Sequence, residues 1–148
     1  MDSRSDSLLV APARTDDVPA LLAIDVALTG RDRQEEIVRD SVAYGGCFVA
    51  RDDSLLAGYI TWDLGFFHRP FVRLLVVVAA YRRCGFGSAL LGAVERAAAT
   101  HRELFVSTET INAPMQALLV RAGYAHSGSI DNINAPGNAE LVFHKRLV

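Results

Sequence analysis

Apolar residues along the chain change period repeatedly, and each change predicts an element. Leu8 to Pro12 is a short apolar run and predicts a first strand. Helical spacing follows as far as Leu28, with Thr15 or Asp16 as cap and Pro19 tolerated in the first turn; Thr29-Gly30 then breaks it. Arg31 to Tyr44 places Ile37, Val38 and Val42 on one inward face, and Gly45-Gly46 stops this second helix. Cys47 to Ala50 and Leu55 to Trp62 read as strands joined by a hairpin turn at Arg51-Asp52-Asp53-Ser54. Asp63 to Gly65 predicts another turn, and a long strand follows from about Phe71 to Val78. Beyond it come a helix, a strand from Leu104 to Ser107 and a helix over Asn112 to Ala122, with Pro114 in its first turn and Gly123 as its stop. Tyr124 to Ile130 and Glu140 to Lys145 are the last strands, separated by a loop rich in Asn, Pro and Gly. The order β-α-α-β-β-β-α-β-α-β-β describes one α/β domain with a mixed sheet, without repeat or linker, over residues 1–148.

The junction after the long strand carries the chemistry. Leu74-Leu75-Val76-Val77-Val78 runs into Arg82-Arg83-Cys84-Gly85-Phe86-Gly87-Ser88-Ala89, and Leu90, Leu91, Val94, Ala97 and Ala98 then recur at helical spacing. A strand, a glycine-containing turn and a helix N-terminus place several backbone N–H groups at one spot, because the first turn has no internal acceptors for them. The helix dipole adds partial positive charge, and the result is a seat for phosphate. Gly85 and Gly87 let a ligand approach the backbone closely. A P-loop would need a lysine after the second glycine, where Ser88 and Ala89 stand. A dinucleotide fingerprint would need a third glycine, where Leu90 stands. A tight turn that holds nothing is the plain alternative.

Composition removes other classes. At 148 residues and 51% hydrophobic content the chain can bury one real core and is not generally disordered. A net charge of -2 offers no polybasic nucleic-acid surface, and no apolar run approaches the ~20 residues of a membrane helix. The polar start, Met1-Asp2-Ser3-Arg4-Ser5-Asp6-Ser7, lacks the apolar core of a signal peptide. Cys47 and Cys84 have no metal-ligand spacing, so no metal is expected, and a reducing cytoplasm is the expected location.

The arginine three residues before the first glycine, followed by glycine-x-glycine, resembles the [Gln/Arg]-x-x-Gly-x-[Gly/Ala] signature of the GNAT superfamily of N-acetyltransferases. The order of elements is similar to that fold from end to end. Arg82, Gly85 and Gly87 match the longer family pattern V-x-P-x-x-R-x-x-G-x-G, with Ala79 where proline is common. Asn112, Ala117 and Gly123-Tyr124 resemble its N-x-x-A…G-[Phe/Tyr] segment. The resemblance implies a mixed, mostly antiparallel sheet of six to seven strands with about four helices and splayed central strands. It implies acetyl-CoA as co-substrate, with the pyrophosphate on the loop from Arg82, Arg83, Cys84, Gly85, Phe86 and Gly87 to Ser88 and Ala89. The pantetheine arm would lie along amides of Val76, Val77 and Val78, with Val77 N–H as the oxyanion donor. Asn112 is either a helix cap that also bonds the coenzyme or a cap alone.

Direct acyl transfer to an amine also needs a base. Glu109, after the strand where the sheet should split, is the first candidate, and Asp63 the second; each is otherwise a surface carboxylate. The usual general-acid tyrosine of the family falls on Leu119, which cannot protonate a thiolate. Tyr124 and Tyr81 are expected to pack instead, and a thiolate can leave to solvent. Cys84 is read as loop filler rather than a nucleophile. Phe66-Phe67-His68-Arg69-Pro70 either lines an acceptor pocket, makes a dimer contact or is a packed hairpin. The expected activity is transfer of an acetyl group from acetyl-CoA to a small or peptide amine; a non-catalytic acyl-CoA sensor of the same fold, lacking the tyrosine, is the rival. A homodimer is common in the family; no nucleic acid or membrane partner is expected.

Overall fold

The computed structural model describes residues 8–29 and 34–148, with the backbone alone for 25–29. Its strands and helices follow the order that the periodicity predicts. They are β1 (Leu8–Pro12), α1 (Val18–Thr29), α2 (Gln34–Tyr44), β2 (Cys47–Asp52), β3 (Leu55–Phe66), β4 (Arg69–Val77), α3 (Phe86–Ala97), β5 (Glu103–Glu109), α4 (Ala113–Arg121), β6 (Ala125–Ile130) and β7 (Glu140–Arg146). The expected start of the second helix, Arg31 to Arg33, and the polar start of the chain lie outside the described residues.

The seven strands form one sheet in the order β1-β2-β3-β4-β5-β7-β6. Neighbours are antiparallel except β4 and β5, which are parallel. Strand residues alternate between the faces, and each face has its own core. Ala50, Ala57, Ile60, Val72, Leu104 and Val106 pack with Leu90, Leu91 and Val94 of α3 and Leu119 of α4. On the opposite face Cys47, Val49 and Tyr59 meet Leu21 of α1 and Val38 of α2. Leu21, Leu90, Leu119 and Val38 are each 0% exposed. Burial of such a side chain contributes about 1.5–3 kcal/mol, so these helices are held by their apolar stripes.

The sequence misplaces two local features. Asp63 to Gly65 does not turn the chain. Gly65 N–H donates to Asp63 Oδ1 at 2.7 Å, and this local bond produces a register irregularity within β3 rather than a reversal. The strand runs on to Phe66, and the turn is made by Phe67 and His68, both left-handed with φ of 52° and 62°. Two positive φ values give the tight hairpin turn that matches strand twist, although Asn-Gly is its usual sequence. Ahead of α1 the chain makes a short 3-10 turn over Thr15–Asp17, so the helix proper starts later than the expected cap at Thr15 or Asp16, and Asp17 accepts the Arg14 N–H at 2.8 Å and pairs with Arg51.

Candidate active site

The split in the sheet comes from one extra residue. β3 pairs Thr61 with Leu74 and Trp62 with Val72, so Arg73 of β4 is left over as a bulge. Val72 therefore points into the α3/α4 core, while Leu74, two residues later, points into the α1/α2 core. Parallel pairing with β5 consists of Phe71 with Phe105 and Val72 with Val106, and it stops at the bulge. Beyond it, Leu74–Val77 and Ser107–Glu109 part, leaving a wedge-shaped gap in the sheet.

Antiparallel register fixes which amides of β4 line that gap. Val78 N–H donates to Ala57 O at 2.8 Å, toward β3. Amides alternate along a strand, so that of Val76 also points to β3, whereas those of Leu75 and Val77 point into the gap. The Val77 carbonyl faces the same way, since it accepts from Arg82 Nε at 3.2 Å. The expectation of three pantetheine-facing amides at Val76, Val77 and Val78 is thus corrected: Val76 and Val78 serve the sheet. Leu75, which the sequence reading omits, joins Val77 and lies nearer the vertex.

The phosphate seat forms where β4 ends. A short 3-10 turn over Ala79–Tyr81 leads into Arg82, and Gly85 caps α3 in the left-handed conformation, with φ 87°. Arg83 is also left-handed, with φ 60°. Tyr81 packs edge-on against the buried Phe86, with ring centres 5.3 Å apart, and so pins the loop to the core. The amides of Phe86, Gly87 and Ser88 head the helix without intrahelical acceptors. Ala89 N–H already donates to Gly85 O at 3.0 Å, and Arg82 N–H to Ala79 O at 3.3 Å. The expected ring of main-chain donors therefore excludes these two residues, although the Arg82 guanidinium is still exposed beside it. Cys84 is half-buried, with Sγ 3.4 Å from Arg82 O. This arrangement can hold a diphosphate by amide donors, a helix dipole and one arginine.

The other expected residues are spread around this gap. Asn112 caps α4, its Oδ1 accepting Met115 N–H at 3.2 Å, and Gln116 secures the same corner by donating to the carbonyls of Glu109 and Thr110. Leu119 is fully buried in the α3/α4 core. Tyr124 is buried too. Its phenol donates to Glu95 at 3.3 Å; burial first, and then the Glu95 charge and hydrogen bond, push its pKa up. Glu109 ends β5 on the face opposite α3 and α4 and is half-buried there. Asp63 lies on β3, with β4 between it and β5, about 10 Å away by strand spacing. Its second oxygen accepts from Arg73 Nε at 2.8 Å. The two candidate bases are therefore not brought together. Ser107, missed in the sequence, is the first β5 residue beyond the last β4 pair and shares the face of Glu109, about 7 Å nearer the vertex.

Residues 18–124 match the model of the acetyltransferase (GNAT) family. That span is well over half of the chain, and the chain belongs to this family. Its structure is similar to that of a GNAT-family acetyltransferase from Bacillus cereus ATCC 10987, with 28% identity, a TM-score of 0.88, and 95% of this chain and 98% of that one covered. Arabidopsis thaliana Naa50, solved with the bisubstrate analogue CoA-Ac-MVNAL, shares the fold at 22% identity and a TM-score of 0.80, over 94% of this chain and 98% of that one. The ribosomal-protein-S18-alanine N-acetyltransferase from Escherichia coli does so at 16% identity and a TM-score of 0.79, over 95% and 94% of the two chains. Among curated proteins none matches the chain by sequence. No helix among the described residues is long and apolar enough to cross a membrane.

Proposed function

We propose that this acetyltransferase moves an acetyl group from acetyl-CoA to a primary amine by direct attack. The observation that carries the reading is the parting of β4 and β5 beside the N-terminus of α3. A diphosphate at the amides of Gly85 to Ser88 would leave the pantetheine arm to run along Leu75 and Val77. Their N–H groups then face the thioester oxygen and stabilise its charge as the amine attacks. The amine nitrogen bonds to the carbonyl carbon, the carbon–sulfur bond breaks, the nitrogen gives up its extra proton to water, and the thiolate takes a proton from solvent. Glu109 is the base that draws the ammonium proton off, through a water beside Ser107. Asp63 is the weaker candidate, since a strand separates it from the gap. Family complexes with a bisubstrate analogue and with coenzyme A support the choice of donor.

Thiol release from acetyl-CoA with a panel of small and peptide amines tests the reading. Turnover that falls at least tenfold in Glu109→Gln, with coenzyme binding retained, is expected. Stabilisation by coenzyme A without turnover of any amine would make the protein an acyl-CoA sensor instead. A kcat/KM unchanged in Glu109→Gln at every pH would remove Glu109 from the mechanism.

A further inference from the structure

Four rings lie on the face of the sheet that carries Ser107 and Glu109. Phe66 stacks on Phe71 with centres 5.1 Å apart and meets Phe105 at 5.1 Å; Phe105 meets His144 at 4.6 Å. All four are half-buried, and none belongs to either core. Among the described residues, α1 and α2 pack on Cys47, Val49 and Tyr59 together with Leu74 and Val76 of β4, and the four rings lie outside that cluster. Phe71 and Phe105 are register partners, one step before β4 and β5 part. Their side chains therefore border the vertex of the gap on the side away from α3 and α4. That opposite side is sealed by buried Leu104, Val106 and Leu119, so an acceptor must come in over the rings.

The two carboxylates that border the rings, Glu103 and Asp63, are already paired. Glu103 accepts from Arg69 Nε at 3.1 Å and contacts His144 Nε2 at 3.1 Å. Asp63 is held by Arg73, whose guanidinium also lies 5.5 Å over the Phe71 ring. A second ammonium on the acceptor would find these carboxylates, and that ring face, taken. An aromatic or branched apolar group would find a preformed floor.

We infer that the acceptor is an amine bearing one aromatic or large apolar group, seated on Phe71 and Phe105, and not a polycation. The inference rests on the proposed transfer reaction for the position of the reacting nitrogen. It is tested by calorimetry on the protein saturated with coenzyme A, which cannot transfer, so that binding is read separately from chemistry. The ligands are 2-phenylethylamine, propylamine and 1,4-butanediamine, with Phe-first and Gly-first peptides as a second pair. Either 2-phenylethylamine or the Phe-first peptide should bind at least tenfold tighter than its small counterpart, and the arm that does so tells a free arylamine from a chain terminus. The diamine should bind no better than propylamine. Phe105→Ala should erase the preference, and Phe105→Leu, which keeps most of the apolar surface, should retain it. In turnover the same preference should fall on KM.

Equal affinities across the series, tighter binding of the diamine, or a preference that survives Phe105→Ala would each overturn the inference. Aryl preference in binding without acetylation of any amine would overturn the transfer reaction and leave the groove standing. Acetylation of all amines alike would do the reverse.

Discussion

Replacing Gly85 by alanine separates the loop's structural role from its binding role. Gly85 sits at φ 87°, where an added Cβ would meet no atom of the protein within 4 Å. The fold therefore suffers no clash and only the left-handed strain of a non-glycine residue, roughly 1–2 kcal/mol. In a chain of this length that lowers Tm by about 2–8 °C, and against a total stability of about 5–15 kcal/mol the protein stays folded at 20 °C. The open space beside the Cβ is where a diphosphate would rest. Relaxing the strain would also turn away an amide whose hydrogen bond to a charged acceptor is worth about 1.5–3 kcal/mol. Calorimetric titration with acetyl-CoA at 20 °C should then show Kd raised about ten- to a hundredfold. Gly92→Ala, farther along α3, is the control. Its Cβ would meet only the Arg96 Nη1 end of a flexible side chain, at 3.4 Å, and the helix gains up to about 1 kcal/mol from the change. That variant should keep its Kd within about threefold by the same reasoning. A Gly85→Ala protein with the lowered Tm but the parent's affinity would refute the argument, because the left-handed turn would then serve folding alone.

Three further outcomes are expected. Asn112→Ala removes the oxygen that caps α4 and should cost about 1 kcal/mol in thermal or urea unfolding, with Asp or Ser restoring most of it. Burial pushes the Cys47 thiol up to about 12, so a disulfide reagent at pH 8 should titrate Cys84 in the native protein and Cys47 only after unfolding. The same shift makes stability fall with rising pH. The folded state keeps the Cys47 proton, while the unfolded chain releases it from about pH 9 upward, so about 1.4 kcal/mol is lost per pH unit until the folded thiol itself ionises. Tyr124, also shifted up, adds a second loss above about pH 10. Urea unfolding between pH 7 and 10 checks this, and Cys47→Ala should remove the loss between pH 9 and 10.

Much of this architecture is legible in the chain because long periodic segments report burial directly. Leu90, Leu91 and Val94 face the core as their spacing requires, and Gly85 makes the left-handed turn that its place before the helix implies. Register is not legible in the same way. The bulge at Arg73 has no marker in its own sequence, yet it decides that Leu75 rather than Val76 lines the gap and that β5 leaves β4 at Ser107. The Asp63-Leu64-Gly65 triplet shows the opposite limit. Its local hydrogen bond forms as turn chemistry predicts, but β3 pairs with β4 on both sides of it, at Asp63 and at Phe66, so the triplet is absorbed as an irregularity and reversal is deferred to Phe67 and His68. A pair of bulky residues gives no local sign of two positive φ values.

The two halves of the site therefore draw on different parts of the sequence. On the proposed function, donor binding would use backbone groups set by register and by a helix start, and these tolerate almost any apolar side chain. Proteins 14–22% identical to this one share the fold while their names point to a peptide analogue, a ribosomal protein and an aminoglycoside. The acceptor side depends on side chains along the exposed half of β4, β5 and β7, where neither core constrains them. There this chain places rings whose neighbouring carboxylates are already paired. A substitution at Phe105 should consequently redirect which amine is used while leaving acetyl-CoA affinity alone, and one at Gly85 should do the reverse. If both changed the same quantity, donor and acceptor would share one surface, and the separation by faces of the sheet would be wrong.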